Sequence, residues 1–588
     1  MVPRSTATER APGESPMKVM SLADAVTCFT WPGDHLHFAS TPSRSNAAVR
    51  EVARRYVGTR PDFVISCTGF HSTAHLLALL RLGRRYISCF FGDNYPQPRP
   101  NTLYTTLLRE GYALEHWSLS GYVAALRAGA TGLPYALTRP ADATSLTAEL
   151  AAAGRFHAIA DPGDPHRRLG LLAALCPDVT FVHAPLGDPT GRVACFAPYG
   201  EGHWGAAAAT RGVVATVERV VTPDEFDSLP NPLVLPPHRV LAVCAEPYGA
   251  HPQPLHAPAG LPRVSYRDDF DHYQKWREVA ESPDRMKGFR DRVLAADGSP
   301  AYQRFVGADR LAALHPGGPP TLSVPRRPPG GTEPASTAEL MIVRAARIIA
   351  DLVEHHQYQV VLAGIGHSYT AARLAHALLG KRGIEVPVLV ETGLYGIDCG
   401  PRGGAFPLGL DTIAGAHRLT GIEDVLTTLT CGANNRCVGV IGAAQVDPTG
   451  AVNSTRTALG RQLVGSGGAH DIGNAADEVI VLARCTPERL VPRVDYVTTP
   501  GHHVRHVVTD VATFRRATPH DAWTVLDLDA GDRRAYRRCG WDPLPHDSGS
   551  APMPPPEAHE LTALRALPDG GVATQAPAHH DPTGRTTP

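Results

Sequence analysis

The same succession of segments stands on both sides of a proline- and glycine-rich stretch, and this repetition most constrains the fold. Residues 183–193 (HAPLGDPTGRV) and 442–452 (GAAQVDPTGAV) each place an Asp-Pro-Thr-Gly turn after an apolar segment. Small residues, an apolar strand and a loop of Pro, Gly and His then follow in the same order. Pro and Gly preset the backbone of a turn, so one such turn means little. Two with the same sequel predict a duplicated domain in one chain.

Strand-like and helix-like segments alternate, which predicts a mainly parallel sheet covered by helices. At 588 residues the chain is too long for one ordinary core. The predicted fold class is α/β, with two similar open, mainly parallel-sheet domains and flanking helices, duplicated across a Pro/Gly linker. The expected parts are a disordered leader (1–16), a first domain (17–314), the linker (315–335), a second domain (336–547) and a disordered tail (548–588) with at most a short helix near 557–567.

Composition excludes several classes of function. The formal net charge is -1 and the sequence has no long basic tract, which argues against nucleic acid or an anionic membrane as partner. The N-terminus lacks the apolar segment of a secretory signal, and no run of about 18 apolar residues predicts a membrane span. The 11 cysteines include no CxxC pair, and the 28 histidines show no paired metal spacing. We therefore expect a cytoplasmic protein without a metal.

One carboxylate closes a short apolar strand in the second half. Val388, Leu389 and Val390 predict a buried strand, and Glu391 follows it at the start of a glycine-rich loop. Reactive groups gather where the strands of an α/β sheet end, so Glu391 is a candidate nucleophile in a desolvated position. On this stretch alone a solvent-facing glutamate is the commoner case.

Two further glycine-rich loops are candidate binding elements. Gly364 and Gly366 follow a predicted strand, but the segment is too short for a dinucleotide fingerprint and predicts a tight turn into a helix. The loop at 465–468 (GSGG) can present backbone N–H groups to an anion or oxyanion, and a surface loop is equally expected. No nucleophile elbow, phosphate-binding loop or marked cysteine supports another kind of catalysis.

The order of these motifs resembles the β subunit of class I CoA-transferases of the glutaconate and 3-oxoacid types. The matching segments in the second half are GIG (364–366), VETG (390–393), GAAQVDPTGAVNST (442–455), GSGGAHDI (465–472), VDYVTTPGH (494–502), VVTDVATF (507–514) and GWDP (540–543). The first half resembles the α subunit through KVMSLADAV (18–26), EHWSLSGYVAALRAGATGLPYALTR (115–139), HAPLGDPTGRV (183–193) and PYGAHP (247–252). The chain thus resembles an α–β pair fused into one polypeptide.

The resemblance implies a CoA-transferase fold and a chemistry. Glu391 stands at the position of the family's nucleophile, which forms an acyl–glutamyl anhydride and then a glutamyl-CoA thioester in a ping-pong reaction. The implied oxyanion and CoA-binding residues are Gly467, Gly468, Gly364, Gly366 and Gln445. The implied substrates are an acyl-CoA and a small carboxylic acid, with no bound cofactor. We also expect a homodimer of the fused chain.

The loop at 38–46 departs from the glycine loop that the 3-oxoacid branch carries after its first strand. We predict that Ser43, Arg44 and Asn46 of this loop hold the substrate carboxylate. Two alternatives remain at this point: a hydrolase acting on a CoA-linked substrate, and a non-catalytic acyl-CoA-binding protein. The sequence does not identify the acyl group.

Overall fold

The structure is a computed structural model. It describes residues 17–40, 43–139, 144–258, 260–261, 264–280, 282–316, 333–432, 435–528, 539–541 and 554–568. The predicted leader and residues 317–332 of the predicted linker lie outside these ranges. Among the described residues, no helix has both the length and the apolar character needed to cross a membrane.

The first half contains twelve α-helices and fourteen strands among its described residues. The helices are α1 Leu22–Phe29, α2 Asn46–Tyr56, α3 His75–Leu79, α4 Thr102–Arg109, α5 Leu119–Ala130, α6 Ser145–Ala152, α7 Gly202–Ala208, α8 Pro223–Asp227, α9 Phe270–Ala280, α10 Pro283–Ala295, α11 Gly298–Val306 and α12 Ala308–Ala313. The strands are β1 His35–Phe38, β2 Phe63–Ser66, β3 Gly69–Phe70, β4 Gly83–Ser88, β5 Phe90–Phe91, β6 Ala113–His116, β7 Tyr135–Thr138, β8 Phe156–Asp161, β9 Asp164–Ala173, β10 Val179–Gly187, β11 Val193–Cys195, β12 Gly212–Val220, β13 Leu233–Leu235 and β14 Val240–Ala245.

The second half adds six α-helices and eleven strands in its described part. The helices are α13 Thr337–His356, α14 His367–Gly380, α15 Leu410–Ala414, α16 Leu429–Cys431, α17 Ala469–Ala475 and α18 Ala558–Ala566. The strands are β15 Val360–Ala363, β16 Val388–Val390, β17 Leu394–Tyr395, β18 Arg418–Leu419, β19 Cys437–Gly442, β20 Gln445–Val446, β21 Val452–Asn453, β22 Glu478–Leu482, β23 Val504–Val508, β24 Ala512–Arg515 and β25 Thr524–Leu528. A capping box between Ser336 and Glu339 begins α13.

Each half is built on five parallel strands in the same spatial order. In the first half the order is β2-β1-β10-β12-β14, and every neighbouring pair is parallel. In the second half β16-β15-β19-β22-β23 are paired in the same way. Counted along the chain, the second sheet follows the order 2-1-3-4-5. In the first sheet two more parallel strands, β4 and β6, continue beyond β2. In both sheets the order reverses beside the first strand, and ligands bind beyond the carboxyl ends of the strands at such a point. The predicted fold class is confirmed.

The two Asp-Pro-Thr-Gly segments form matching turns. Each joins an antiparallel pair, β10 with β11 and β20 with β21. In both turns the aspartate side chain accepts hydrogen bonds from the N–H and hydroxyl of the threonine two residues later, at 3.0 and 2.7 Å for Asp188 and at 2.9 and 2.6 Å for Asp447. The closing glycines have positive φ angles, 99° for Gly191 and 79° for Gly450. The repetition in the sequence is therefore a repetition of backbone geometry.

One feature departs from the expected plan. The segment around β8 belongs to a separate antiparallel sheet, β7-β9-β8, and not to the parallel sheet. Within the predicted tail, 548–588, residues 558–566 form α18, at the place of the short helix expected near 557–567. Arg565 of α18 pairs with buried Glu339 at 2.8 Å, and Leu564 is fully buried. This short helix thus packs an apolar side chain and makes an ion pair with α13.

Candidate functional site

Glu391 lies immediately after β16, as expected from the apolar run before it. The N–H of Gly393 donates to the carbonyl of Val390 at 3.2 Å, which turns the chain just beyond the strand. Gly393 has a φ of 110°, and a Cβ there would lie 2.4 Å from the carbonyl oxygen of Thr420. Only glycine fits such a conformation and approach. The Glu-Thr-Gly sequence is therefore dictated by the turn that presents the carboxylate.

The glycine loop at 465–468 lies directly against this carboxylate. A Cβ on Gly468 would lie 1.8 Å from Oε2 of Glu391, so only glycine allows the observed contact. Burial raises the pKa of Glu391 to about 7, and the negative charge of Asp471 acts in the same direction. A hydrogen bond from the backbone N–H of Gly468 opposes both effects and stabilises the ionised form.

The first half closes this site from the other side. Gly465 forms an antiparallel bridge with Phe90, and the N–H of Gly467 donates to the carbonyl of Cys89 at 3.0 Å. Ser466 donates to the carbonyl of Trp117 at 2.7 Å. The glycine loop is thus fixed between the two halves. The N–H of Gly467 is thus bonded within the protein, whereas the N–H of Gly468 faces the Glu391 carboxylate.

An outer cavity of about 580 Å³ opens beside Glu391 at the carboxyl ends of the second sheet. All five residues predicted for oxyanion and CoA binding line it: Gly364, Gly366, Gln445, Gly467 and Gly468. Gly364 follows β15 and Gln445 begins β20, three residues after β19 ends. β15 and β19 are strands 1 and 3 of this half, so the cavity lies where the strand order reverses. Its volume lies in the range of small-molecule sites.

Three arginines that the sequence analysis did not single out also line the outer cavity. They are Arg461, Arg484 and Arg489, and Glu488 is the one acidic side chain among the described lining residues besides Glu391. Arg489 donates to the carbonyl of Ala443 at 2.9 Å, which holds it over the cavity. Guanidinium groups bind phosphate oxygens through paired N–H donors. Arg484 closely follows the end of β22, and that strand-end position was the available sequence signal.

A smaller inner cavity of about 100 Å³ lies on the other side of Glu391. Residues of both halves line it, among them Glu201 and Asp268 from the first half and Phe406 from the second. Glu201 is fully buried and Asp268 is 2% exposed. Burial raises the pKa of each of these two carboxyls to about 8. No pattern in the sequence distinguished either residue.

Glu391 lies at the junction of the two cavities. Four of the described residues line both of them: Phe90, Ile365, Glu391 and Gly467. Two of these side chains, Phe90 and Ile365, are large and apolar, so the boundary that the cavities share has Glu391 as its one charged side chain among the described residues. A carboxylate in this position can react with a group that reaches from one cavity into the other.

Ser43, Arg44 and Asn46 lie elsewhere, which corrects their predicted role. None of the three is among the residues that line either cavity. Arg44 is fully buried, and its guanidinium donates to the carbonyls of Gly69 and His71 at 2.7 and 2.9 Å and to Asn46 at 3.0 Å. Ser43 donates to the carbonyl of Pro254. These side chains support the wall of the inner cavity through its backbone and do not present a cation to it.

One cluster of potential metal ligands occurs among the described residues, outside both cavities. It consists of His251, Asp269 and His272, whose ligand atoms lie within 4.8 Å of one another. His251 bonds to Tyr302 and Asp269 through its two ring nitrogens, at 2.9 and 3.0 Å. Asp269 is also paired with Arg310. The cluster is a buried ion-pair network in which His251 and Asp269 are engaged by protein groups, and we assign no metal to it.

Comparison with known proteins gives consistent matches. The chain is 32% identical over 167 residues to the A subunit of 3-oxoadipate CoA-transferase from Pseudomonas knackmussii, covering 28% of this chain and 54% of that relative. It is 28% identical over 263 residues to the B subunit of the same enzyme, covering 40% of this chain and 93% of that relative. The chain thus spans about half the length of one curated relative and nearly all of the other. No protein-family model matches it.

A solved structure shows that the fold extends over nearly the whole chain. The thioester complex of the acyl-CoA transferase YdiF from Escherichia coli O157:H7 with CoA superposes with a TM-score of 0.64 at 14% identity, covering 95% of this chain and 97% of that one. The duplicated sheets, the matches to both kinds of subunit and this superposition lead to one assignment. The chain has the fold of an acyl-CoA transferase, and one polypeptide contains regions similar in sequence to the A and to the B subunit of class I CoA-transferases.

Proposed function

We propose that this protein transfers CoA from an acyl-CoA to a free carboxylic acid, with Glu391 as the covalent nucleophile. The observation that carries the proposal is the position of Glu391 at the junction of two cavities, in contact with Gly468. A CoA thioester has a long polar carrier and a short acyl group. The outer cavity suits the carrier, the inner cavity suits the acyl group, and the thioester carbonyl then lies at the carboxylate between them.

The proposed reaction proceeds by four acyl transfers. The Glu391 carboxylate attacks the thioester carbonyl, the C–S bond breaks, and an acyl–glutamyl anhydride and CoA thiolate form. The thiolate attacks the glutamyl carbonyl, giving a glutamyl-CoA thioester and the free donor acid. The acceptor carboxylate attacks this thioester and releases CoA thiolate again. The thiolate finally attacks the acceptor's carbonyl, which yields the new acyl-CoA and restores Glu391. No proton is gained or lost over the cycle.

Several features of the site support this chemistry. The enclosed position that raises the pKa of Glu391 to about 7 leaves much of the carboxylate ionised near neutrality and less strongly hydrated than in water. The N–H of Gly468 can stabilise charge that develops at the glutamyl oxygen. The apolar side chains of Phe90 and Ile365 beside Glu391 disfavour water near the anhydride and thioester, both of which hydrolyse readily.

The arginines of the outer cavity supply the second part of the proposal. CoA carries phosphates at the far end of its pantetheine arm. Arg461, Arg484 and Arg489 line the same cavity as Gly364 and can pair with these phosphates. Binding energy from this remote part of the substrate then holds the thioester at Glu391. CoA is therefore a substrate in this proposal, which needs no resident cofactor.

Initial-rate kinetics test the proposal. With a panel of acyl-CoAs and carboxylic acids, we expect new acyl-CoA to form and double-reciprocal plots at several acid concentrations to give parallel lines, as in a ping-pong reaction. Release of free CoA at a rate independent of every acid would instead identify a hydrolase. Tight acyl-CoA binding without turnover would identify a binding protein. Either result would contradict the proposed transfer.

A further inference from the structure

Two free thiols lie in contact beside the outer cavity. They belong to Cys485 and Cys539, and a hydrogen bond joins the two side chains. Cys485 is partly exposed, whereas Cys539 is 8% exposed. The proposed transfer uses neither thiol. Two thiols that already touch need little movement to form a disulfide.

Backbone contacts hold both thiols in place. The segment 539–541 is fixed to the loop that contains Cys485, because the N–H of Gly540 donates to the carbonyl of Leu490 at 2.7 Å. The N–H of Cys485 donates to the Asp510 carboxylate at 2.8 Å. Neither main chain is free to drift, so a bond between the two sulfurs has to shift the loop.

The same loop forms one wall of the outer cavity. Arg484 precedes Cys485 directly, and Arg484, Glu488 and Arg489 all line that cavity. The two sulfurs of a disulfide are about 2 Å apart, which is closer than two thiols approach without a bond. Formation of the bond therefore draws Cys485 towards Cys539 and moves Arg484 with it.

We propose that Cys485 and Cys539 are a redox-sensitive pair, which a peroxide converts to a disulfide that weakens binding of CoA thioesters in the outer cavity. The effect on binding rests on the proposed function, because that function assigns the CoA carrier to this cavity. Formation of the disulfide does not depend on it.

The surroundings of the two thiols give them different roles. The hydrogen bond from Cys485 lowers the pKa of Cys539 to about 7, so much of Cys539 is thiolate at neutral pH. The same hydrogen bond, together with burial and the charge of Asp510, raises the pKa of Cys485 and keeps it a thiol. Cys539 is therefore the attacking sulfur, and Cys485 is the one that resolves the intermediate.

The oxidation proceeds in two steps with hydrogen peroxide as the oxidant. The Cys539 thiolate attacks one peroxide oxygen, the O–O bond breaks, and hydroxide leaves behind a sulfenic acid on Cys539. The Cys485 thiol then attacks this sulfur, the S–O bond breaks, and water leaves with the proton of Cys485. Each sulfur loses one electron, and the peroxide is reduced to water once the hydroxide has taken up the proton of Cys539.

Peptide mapping tests the pair itself. Reduced protein is treated with hydrogen peroxide, alkylated and digested without reductant. We expect a cross-link between the peptides of Cys485 and Cys539 that dithiothreitol separates. Cys485→Ser and Cys539→Ser should each abolish the link, whereas Cys176→Ser, which removes an exposed cysteine elsewhere, should leave it intact. No such link in the wild-type protein would overturn the proposal, and this result does not depend on how any variant folds.

Equilibrium binding of desulfo-CoA tests the consequence for the outer cavity. This probe lacks the thiol, so it can neither react with Glu391 nor reduce the disulfide. We expect peroxide to raise its Kd at least about 10-fold in the wild-type protein, with recovery in dithiothreitol, and to leave Cys485→Ser unchanged. An unchanged Kd in fully cross-linked protein, or an equal loss in Cys485→Ser, would overturn the link to the cavity. Failure of the reduced wild-type protein to bind the probe would instead refute the proposed CoA site.

Discussion

Replacing Glu391 by glutamine changes how the stability of this protein depends on pH. Glu391 is partly buried after β16, and its pKa is raised from 4.5 to about 7 by burial and by Asp471. An acidic group whose pKa is raised on folding binds its proton more tightly in the native state. Its contribution to stability is therefore greatest below the unfolded pKa and is lost as the pH rises through the folded pKa. Glutamine has no proton to lose.

The size of the effect follows from the shift. One pKa unit corresponds to about 1.4 kcal/mol, so the free energy of unfolding of the wild-type protein falls by about 2 to 3 kcal/mol between pH 5 and pH 8 through this group. We expect the stability of Glu391→Gln relative to wild type to increase by this amount over the same range. Comparing two pH values cancels the constant difference between glutamine and protonated glutamate.

Denaturant unfolding at several pH values measures this difference, with all variants compared under the same conditions. Glu385→Gln is the matched control, because Glu385 is exposed and lies six residues before Glu391. We expect it to follow the wild-type curve. If Glu391→Gln also followed the wild-type curve, Glu391 would be a hydrated glutamate, and the argument for a desolvated nucleophile would be refuted.

Three further predictions concern the rate of the first half-reaction. Gly468→Ala should lower this rate at least about 100-fold, because its Cβ would displace the Glu391 carboxylate. Gly288→Ala, in a helix with open space around it, should leave the rate unchanged. Equal effects of the two substitutions would contradict the contact between Gly468 and Glu391. The rate should rise with pH around a midpoint near 7, where Glu391 ionises. Asp471→Asn should move that midpoint to lower pH, because it removes a like charge near Glu391. An unmoved midpoint would contradict the electrostatic coupling between the two carboxylates. Arg461→Ala should raise KM for acyl-CoA without raising KM for the acceptor acid, and an equal rise in both would contradict phosphate binding there.

The sequence was sufficient to predict those parts of the site that depend on local structure. The run Val388–Val390 predicts a strand because its β-branched and apolar residues suit a buried sheet, and the glycine after Glu391-Thr392 predicts the turn. The place of Glu391 at a strand end is therefore readable from a few residues. The repeated turns likewise predicted a duplicated parallel sheet, because turn chemistry and strand pattern repeat together.

The rest of the site depends on contacts between distant residues. Gly468 contacts Glu391 across 77 positions, and Glu201 from the other half of the chain lines the inner cavity together with Glu391. For Arg44 the sequence predicted a place in the site that the structure does not show. An arginine in a loop beside the expected site resembles an anion ligand in sequence, but its guanidinium is fully buried and donates to two backbone carbonyls and the Asn46 side chain. The sequence gives the type of each residue, whereas packing sets the orientation and the burial of its side chain.

The most direct test of the central claim is to trap the covalent intermediate on Glu391. Wild-type protein is incubated with an acyl-CoA, treated with hydroxylamine or with borohydride, digested and examined by mass spectrometry. We predict a hydroxamate after hydroxylamine and a reduced side chain after borohydride, both on the peptide that contains Glu391 and neither in Glu391→Gln. An adduct on another residue, or none on Glu391 with any acyl-CoA that the protein turns over, would contradict the account.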